Sequence, residues 1–254
     1  MADTAPNPRS PWVILALIIV ALIGGLGGWL LGSRQSAQPD KAAIEEVVRN
    51  YILENPEILP QAMERLQARV NGKQVASAGD ALSAPFPGAV LGNPNGTITL
   101  VEFTDYACGY CRASVPEVEA LIAANPELKV VIRELPILSP ASADAARWSL
   151  AAAEQGKFAA FHKAMFAAGR PDANSIEVAA TQAGMDLDRA RQVIAEPRVE
   201  AEIRQNLDFA RQLRIDGTPS WVIGEQLMAG AVGQKVLQEA IDAVKSGSGP
   251  GPKG

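Results

Sequence analysis

Apolar and polar positions divide this chain into regions of different period. Residues 12–31 (WVILALIIVALIGGLGGWLL) run for 20 positions without a charge. At about 1.5 Å per residue that is about 30 Å of helix, matching the hydrocarbon core of a bilayer. The competing reading is a cleaved leader, whose apolar stretch is shorter and ends in small residues before the cut. Gln35 and Leu31 would occupy the third position before the available cuts, so a retained transmembrane anchor over 12–31 is expected. Beyond it, Ile44, Val47, Val48, Tyr51 and Ile52 share one face at helical spacing. Asn55-Pro56 supplies a cap and a first helical residue, and Leu59, Ala62, Met63, Leu66 and Val70 then continue an apolar stripe. Residues 32–71 thus read as a spacer and an amphipathic helical segment. Helices this short need a partner surface, which is either the main domain or a stalk that self-associates. Residues 72–96, rich in Gly, Pro, Ala, Ser and Asn, read as a linker.

From residue 97 the pattern becomes that of an α/β domain. Residues 97–103 predict a buried strand, 108–124 a helix, and 129–135 a second strand. Between 140 and 214 the chain is Ala-rich and helical in period, broken near Gly156, Gly169-Arg170-Pro171, Gly184 and Pro197. Residues 220–223 and 227–231 predict two more strands, and 232–245 a closing helix. The opening strand–helix–strand implies a parallel pair joined by a right-handed crossover. Residues 246–254 read as a flexible tail.

Composition narrows the chemistry. A net charge of −5 without a basic run argues against a nucleic-acid partner. The short leading segment 1–11 is expected to be a cytoplasmic tail, with everything after Ser33 outside, because long domains cross largely regardless of flanking charge. Gly24, Gly28 and Gly32 recur every four residues along the apolar run, a spacing that permits close helix approach but is also common in membrane spans.

The only two cysteines, Cys108 and Cys111, stand where the first strand runs into its helix. A helix N-terminus stabilises a thiolate, and two thiols three positions apart close and open a small disulfide ring. A structural zinc wants four ligands, and with a single histidine, His162, no complete Cys/His set exists within one chain. No metal is expected, although copper(I) held by the pair, or a non-enzymatic chaperone using it, stays open as a rival to redox catalysis.

The run Val101-Glu102-Phe103-Thr104-Asp105-Tyr106-Ala107-Cys108-Gly109-Tyr110-Cys111 resembles the active-site strand and helix of DsbA-family thiol–disulfide oxidoreductases. Ile215-Asp216-Gly217-Thr218-Pro219-Ser220-Trp221-Val222-Ile223 is similar to that family's cis-proline loop, and Gly156-Lys157-Phe158 with Phe161-His162 to its helical insert. Together the matches cover residues 85–245. The resemblance implies a thioredoxin-like fold over 97–245 with a helical insertion at 140–214, preceded by the anchor and stalk. It further implies Cys108 as nucleophile, Cys111 as resolving thiol, Pro219 as the cis-proline and Glu102 as a buried acid serving Cys111. A solvent-facing Glu102 on a strand edge is the plainer reading of that residue. Gly109, Tyr110 and Thr218 would touch substrate. The Gly-Tyr dipeptide and Thr218 resemble DsbC-type isomerases more than the archetypal oxidase. The family implies no cofactor beyond the disulfide itself, cysteine-containing exported proteins as substrates and a membrane redox partner. The expected location is the bacterial inner membrane, with the catalytic domain in the periplasm or extracytoplasmic space, and a homo-oligomer formed through residues 12–71 would favour a disulfide isomerase.

Overall fold

The computed structural model describes residues 11–35 and 41–247, apart from the side chains at 11, 13, 14 and 30–35. The expected cytoplasmic tail lies almost wholly outside these residues, as do most of the spacer and of the C-terminal tail. Contacts divide the chain into two units, Met1–Ala62 and Met63–Gly254.

The first unit holds α1 (Pro11–Gln35) and α2 (Lys41–Glu54). Helix α1 contains the uncharged run. No helix among the described residues is long and apolar enough to cross a membrane, so the anchor is not established by the structure. Helix α2 buries no residue, and Ile44, Val48 and Ile52 line an open apolar groove along it.

The second unit carries most of α3 (Ile58–Ala78), then β1 (Val90–Gly92), β2 (Ile98–Thr104), α4 (Gly109–Ala124) and β3 (Leu128–Glu134). Five helices follow: α5 (Pro140–Glu154), α6 (Phe158–Ala168), α7 (Ala173–Gln182), α8 (Leu187–Ile194) and α9 (Pro197–Leu213). The chain closes with β4 (Ser220–Ile223), β5 (Gln226–Ala229) and α10 (Gln234–Lys245). The sheet order is β1-β3-β2-β4-β5, with β2 and β3 parallel and every other pair antiparallel. This is a thioredoxin-like sheet with a five-helix insert between its parallel and antiparallel halves.

Two expectations are corrected. Residues 72–96 are not simply a linker. Helix α3 runs on to Ala78, a 3-10 turn occupies Asp80–Leu82, and β1 adds an edge strand. Val75 explains the longer helix, because it is buried among Phe209, Leu213 and Val222, and Gln212 donates to the Ser77 hydroxyl at 2.9 Å. The Gly- and Ser-rich composition is a poor helix signal that tertiary packing overrides. Strand β1 is three residues long, too short to leave a period.

Side-chain alternation along the central strands sorts the core. Val101, Phe103, Val131 and Val222 face a cluster with Leu82, Leu135 and Phe209. Leu100, Val130, Ile132, Trp221 and Ile223 face the opposite cluster with Cys111, Leu121 and Ile241. Helices start where capping side chains satisfy free N–H groups. Ser139 accepts from Ser142 N–H before Pro140, and Asp172 with Ser175 forms a capping box on α7.

Arg133 is the polar exception on the first face, with its side chain 1 % exposed. Its guanidinium donates to the carbonyls of Ala81, Leu82 and Ala84, to Glu202 at 2.7 Å and to Asn206 at 3.2 Å, and lies over the Phe209 ring. One side chain thereby fastens residues 81–84 to α9. Arg133→Met leaves those carbonyls and the Glu202 carboxylate without their donor. The expected loss is about 3–5 kcal/mol, read as a lowered denaturant midpoint with new proteolytic cleavage between residues 79 and 88.

Candidate active site

Strand β2 ends at Thr104, and the next turn delivers Cys108 to the N-cap of α4. Cys108 has extended backbone angles, and its sulfur accepts the Cys111 N–H at 3.4 Å. Both cysteines are free thiols. Their exposure differs: Cys108 retains 5 %, whereas Cys111 retains none. Cys108 is therefore the sulfur an incoming molecule can reach.

The two sequence matches meet in space. The Thr218-Pro219 peptide bond is cis, and the Cys108 thiol donates to the Thr218 carbonyl at 3.2 Å. Pro219 leads into β4, which pairs with β2 so that Trp221 stands opposite Glu102. Glu102 is not an edge residue. It is 3 % exposed, and burial raises its carboxyl to about 8, so the group is largely protonated at neutral pH. Burial also pushes the Cys111 thiol well above its ordinary range. The inner thiol is thus protonated at neutral pH. Tyr110 is 70 % exposed, and Gly109 faces open space, so the dipeptide forms an uncovered rim.

Three further groups carry no short-range sequence signal. Asp105 is buried, and its carboxylate accepts from Ala107 N–H at 2.8 Å and from Ile137 and Leu138 N–H at 2.9 Å each. It ties the cysteine loop to the loop after β3. Tyr106 is also buried, and its hydroxyl meets Ser149 at 2.8 Å, Glu134 at 3.2 Å and His162 Nδ1 at 3.1 Å. Ser149 donates to Glu134 at 2.6 Å. Burial raises the Glu134 carboxyl to about 8 and lowers the His162 imidazole to about 4, so both groups are largely neutral at pH 7. His162 is a core residue packed among Phe158, Tyr106 and Phe166. The three partners of Tyr106 stand 28 to 56 residues from it in the chain, so no local motif announces them.

Residues 99–242 match the model of the DSBA-like thioredoxin domain, and residues 40–70 match that of the copper resistance protein ScsC N-terminal domain. A thioredoxin-like oxidoreductase from Silicibacter pomeroyi is 40 % identical, with a TM-score of 0.63 over 66 % of this chain and 98 % of that one. A linker-deleted mutant of Proteus mirabilis ScsC is 28 % identical, with a TM-score of 0.65 over 84 % of this chain and 99 % of that one. Among curated proteins, a Na(+)/H(+) antiporter, NhaA 3 of Salinispora tropica, is 31 % identical over 60 % of this chain and 24 % of its own length. The chain thus spans about a quarter of the curated relatives it matches. With 144 of its 254 residues inside the matched domain, the chain belongs to the DSBA-like thioredoxin domain family.

Proposed function

We propose that this chain is a membrane-tethered, extracytoplasmic thiol–disulfide oxidoreductase acting on cysteine-containing exported proteins. The observation that carries this reading is the stacked arrangement of an accessible Cys108, a sealed Cys111 and a buried Glu102 beside the cis Thr218-Pro219 loop. In the reducing direction the Cys108 thiolate attacks a client disulfide. A Cys108–client S–S bond forms, the client's own S–S bond breaks, and the departing sulfur takes a proton. Glu102, in its ionised form, then accepts the Cys111 proton, and Cys111 attacks Cys108. The second client thiol leaves, the pair is oxidised and two electrons have passed to the client. Run backwards, the same steps donate a disulfide. An acid near pH 8 suits both directions, because either protonation state is within reach.

A second reading, disulfide isomerase, is favoured by the Gly109-Tyr110 dipeptide and Thr218, and by the apolar face of α2. Several copies joined through α2 would direct several thiols at one misfolded client, with a membrane redox partner keeping them reduced. The tether is supported by the uncharged run 12–31 and the exposed apolar side chains of α1, including Leu17, Val20 and Ile23.

Cys108→Ser is expected to abolish insulin disulfide reduction, while Cys111→Ser accumulates a covalent client adduct visible on a non-reducing gel. Retained turnover in Cys108→Ser would refute the catalytic reading. Glu102→Gln should slow the Cys111 step by roughly a hundredfold in single-turnover measurements. The folded pKa of Glu102 lies above its unfolded value, so its contribution is intact below about pH 4.5 and declines as pH rises through about 8. The same variant should therefore flatten the fall of thermal midpoint across that window, with Glu134 leaving a residual slope. Val48→Glu should reduce the detergent-solubilised protein to single chains by light scattering. An unchanged mass would remove the stalk.

A further inference from the structure

Beside the cysteine loop lies an open groove of about 540 Å3 that the exchange steps do not use. Three separate parts of the chain wall it: Ala107 of the cysteine loop, Leu138 and Pro140 at the start of α5, and Arg170 with Pro171 in the turn between α6 and α7. Hydrogen bonds hold these walls in register with Cys108. Asp105 binds the cysteine loop and the Leu138 backbone together. Arg112, the residue after Cys111, donates to the Gly169 carbonyl at 2.8 Å and so fixes the turn that presents Arg170. A groove stapled at both ends costs little to order when a chain enters it.

The groove carries a cation on its wall, Arg170. Arg170 is exposed and Arg112 half-buried, and among the described residues neither forms an ion pair. Asp172, the acid closest to Arg170 in sequence, is occupied as the cap of α7. The chain as a whole carries −5, which repels acidic polypeptides. Arg170 on the groove wall, with Arg112 following Cys111 in sequence, offers an acidic residue a local cation against that overall charge. The remaining walls, Leu138 at 54 % exposure with Pro140 and Pro171, suit an aliphatic stem rather than a second charge.

We infer that this groove is a specificity subsite that receives the client segment flanking the reacting cysteine and favours an acidic residue there, with Arg170 meeting its carboxylate. The inference rests on the exchange reading of Cys108. The occupant is polypeptide because any disulfide engaging Cys108 brings its flanking chain past Ala107. Arg170 acts on binding and takes no part in bond making.

The test uses the full-length reduced protein and three short cysteine peptides, each supplied as its mixed disulfide with 2-mercaptoethanol. They differ only in carrying Leu-Glu, Leu-Gln or Leu-Lys on both sides of the cysteine. Second-order rates of peptide release should fall in the order Glu, Gln, Lys, by about two- to fivefold per step, as for an exposed ion pair. The spread should collapse at about 1 M salt, where charges are screened within about 3 Å. Arg170→Ala should flatten the order and Arg170→Glu invert it, a ratio read within each variant. Equal rates for the three peptides, or an order that survives Arg170→Glu, would overturn the subsite. Failure of the wild-type protein to exchange with neutral bis(2-hydroxyethyl) disulfide would instead overturn the exchange reading itself.

Discussion

Strand β2 is the constraint on which the rest of the molecule depends. It is hydrogen-bonded on both sides, to β3 in parallel and to β4 in antiparallel register, and six of its seven residues are buried. Such a strand has no solvent-facing side on which to place a charge, yet it carries Glu102. The register puts that carboxyl between Ile132 and Trp221, on the face that also receives Cys111. The same antiparallel pairing brings the Thr218 carbonyl to Cys108, more than a hundred residues away in sequence. Shifting either pairing by one residue would send Glu102 to the opposite face and part it from Cys111.

Burial of polar groups around this strand is then compensated in two ways. Where a carboxylate accepts several N–H groups, as Asp105 does, it holds loops together around the thiols. Where burial dominates, as at Glu102 and Glu134, the proton stays on the carboxyl into the neutral range. Asp105 organises geometry through the N–H bonds it accepts. Arg133 applies the same reasoning to the other face, where a buried cation gathers the carbonyls of residues 81–84 and joins the entry segment to α9.

The acidic chain presents its unpaired arginines beside the cysteine loop, and the apolar face of α2 elsewhere. The inferred subsite concerns which clients approach, and the proposed stalk how many copies act together. These are separate questions in a thiol exchanger, since flanking charge acts within a Debye length and subunit number sets the local thiol concentration.

Much of this was legible beforehand because it is local. The CxxC at a strand–helix junction, the Thr-Pro before a strand, the period of β2 and α4, and the Ala-rich insert are written in neighbouring residues, and they indicated a thioredoxin-like fold and a redox pair. The extension of α3 to Ala78 was not legible, because Val75 helps hold the helix by packing on Phe209 and Leu213, far along the chain. Nor were β1, the Asp105 staples, the Tyr106–Glu134–Ser149 cluster or the Arg112–Gly169 contact. The sequence alone singled out the CxxC pair and most of the helices and strands from residue 97 onward. Only tertiary structure decided that Glu102 is buried rather than on an edge, because burial belongs to the neighbours a strand acquires and not to the strand itself.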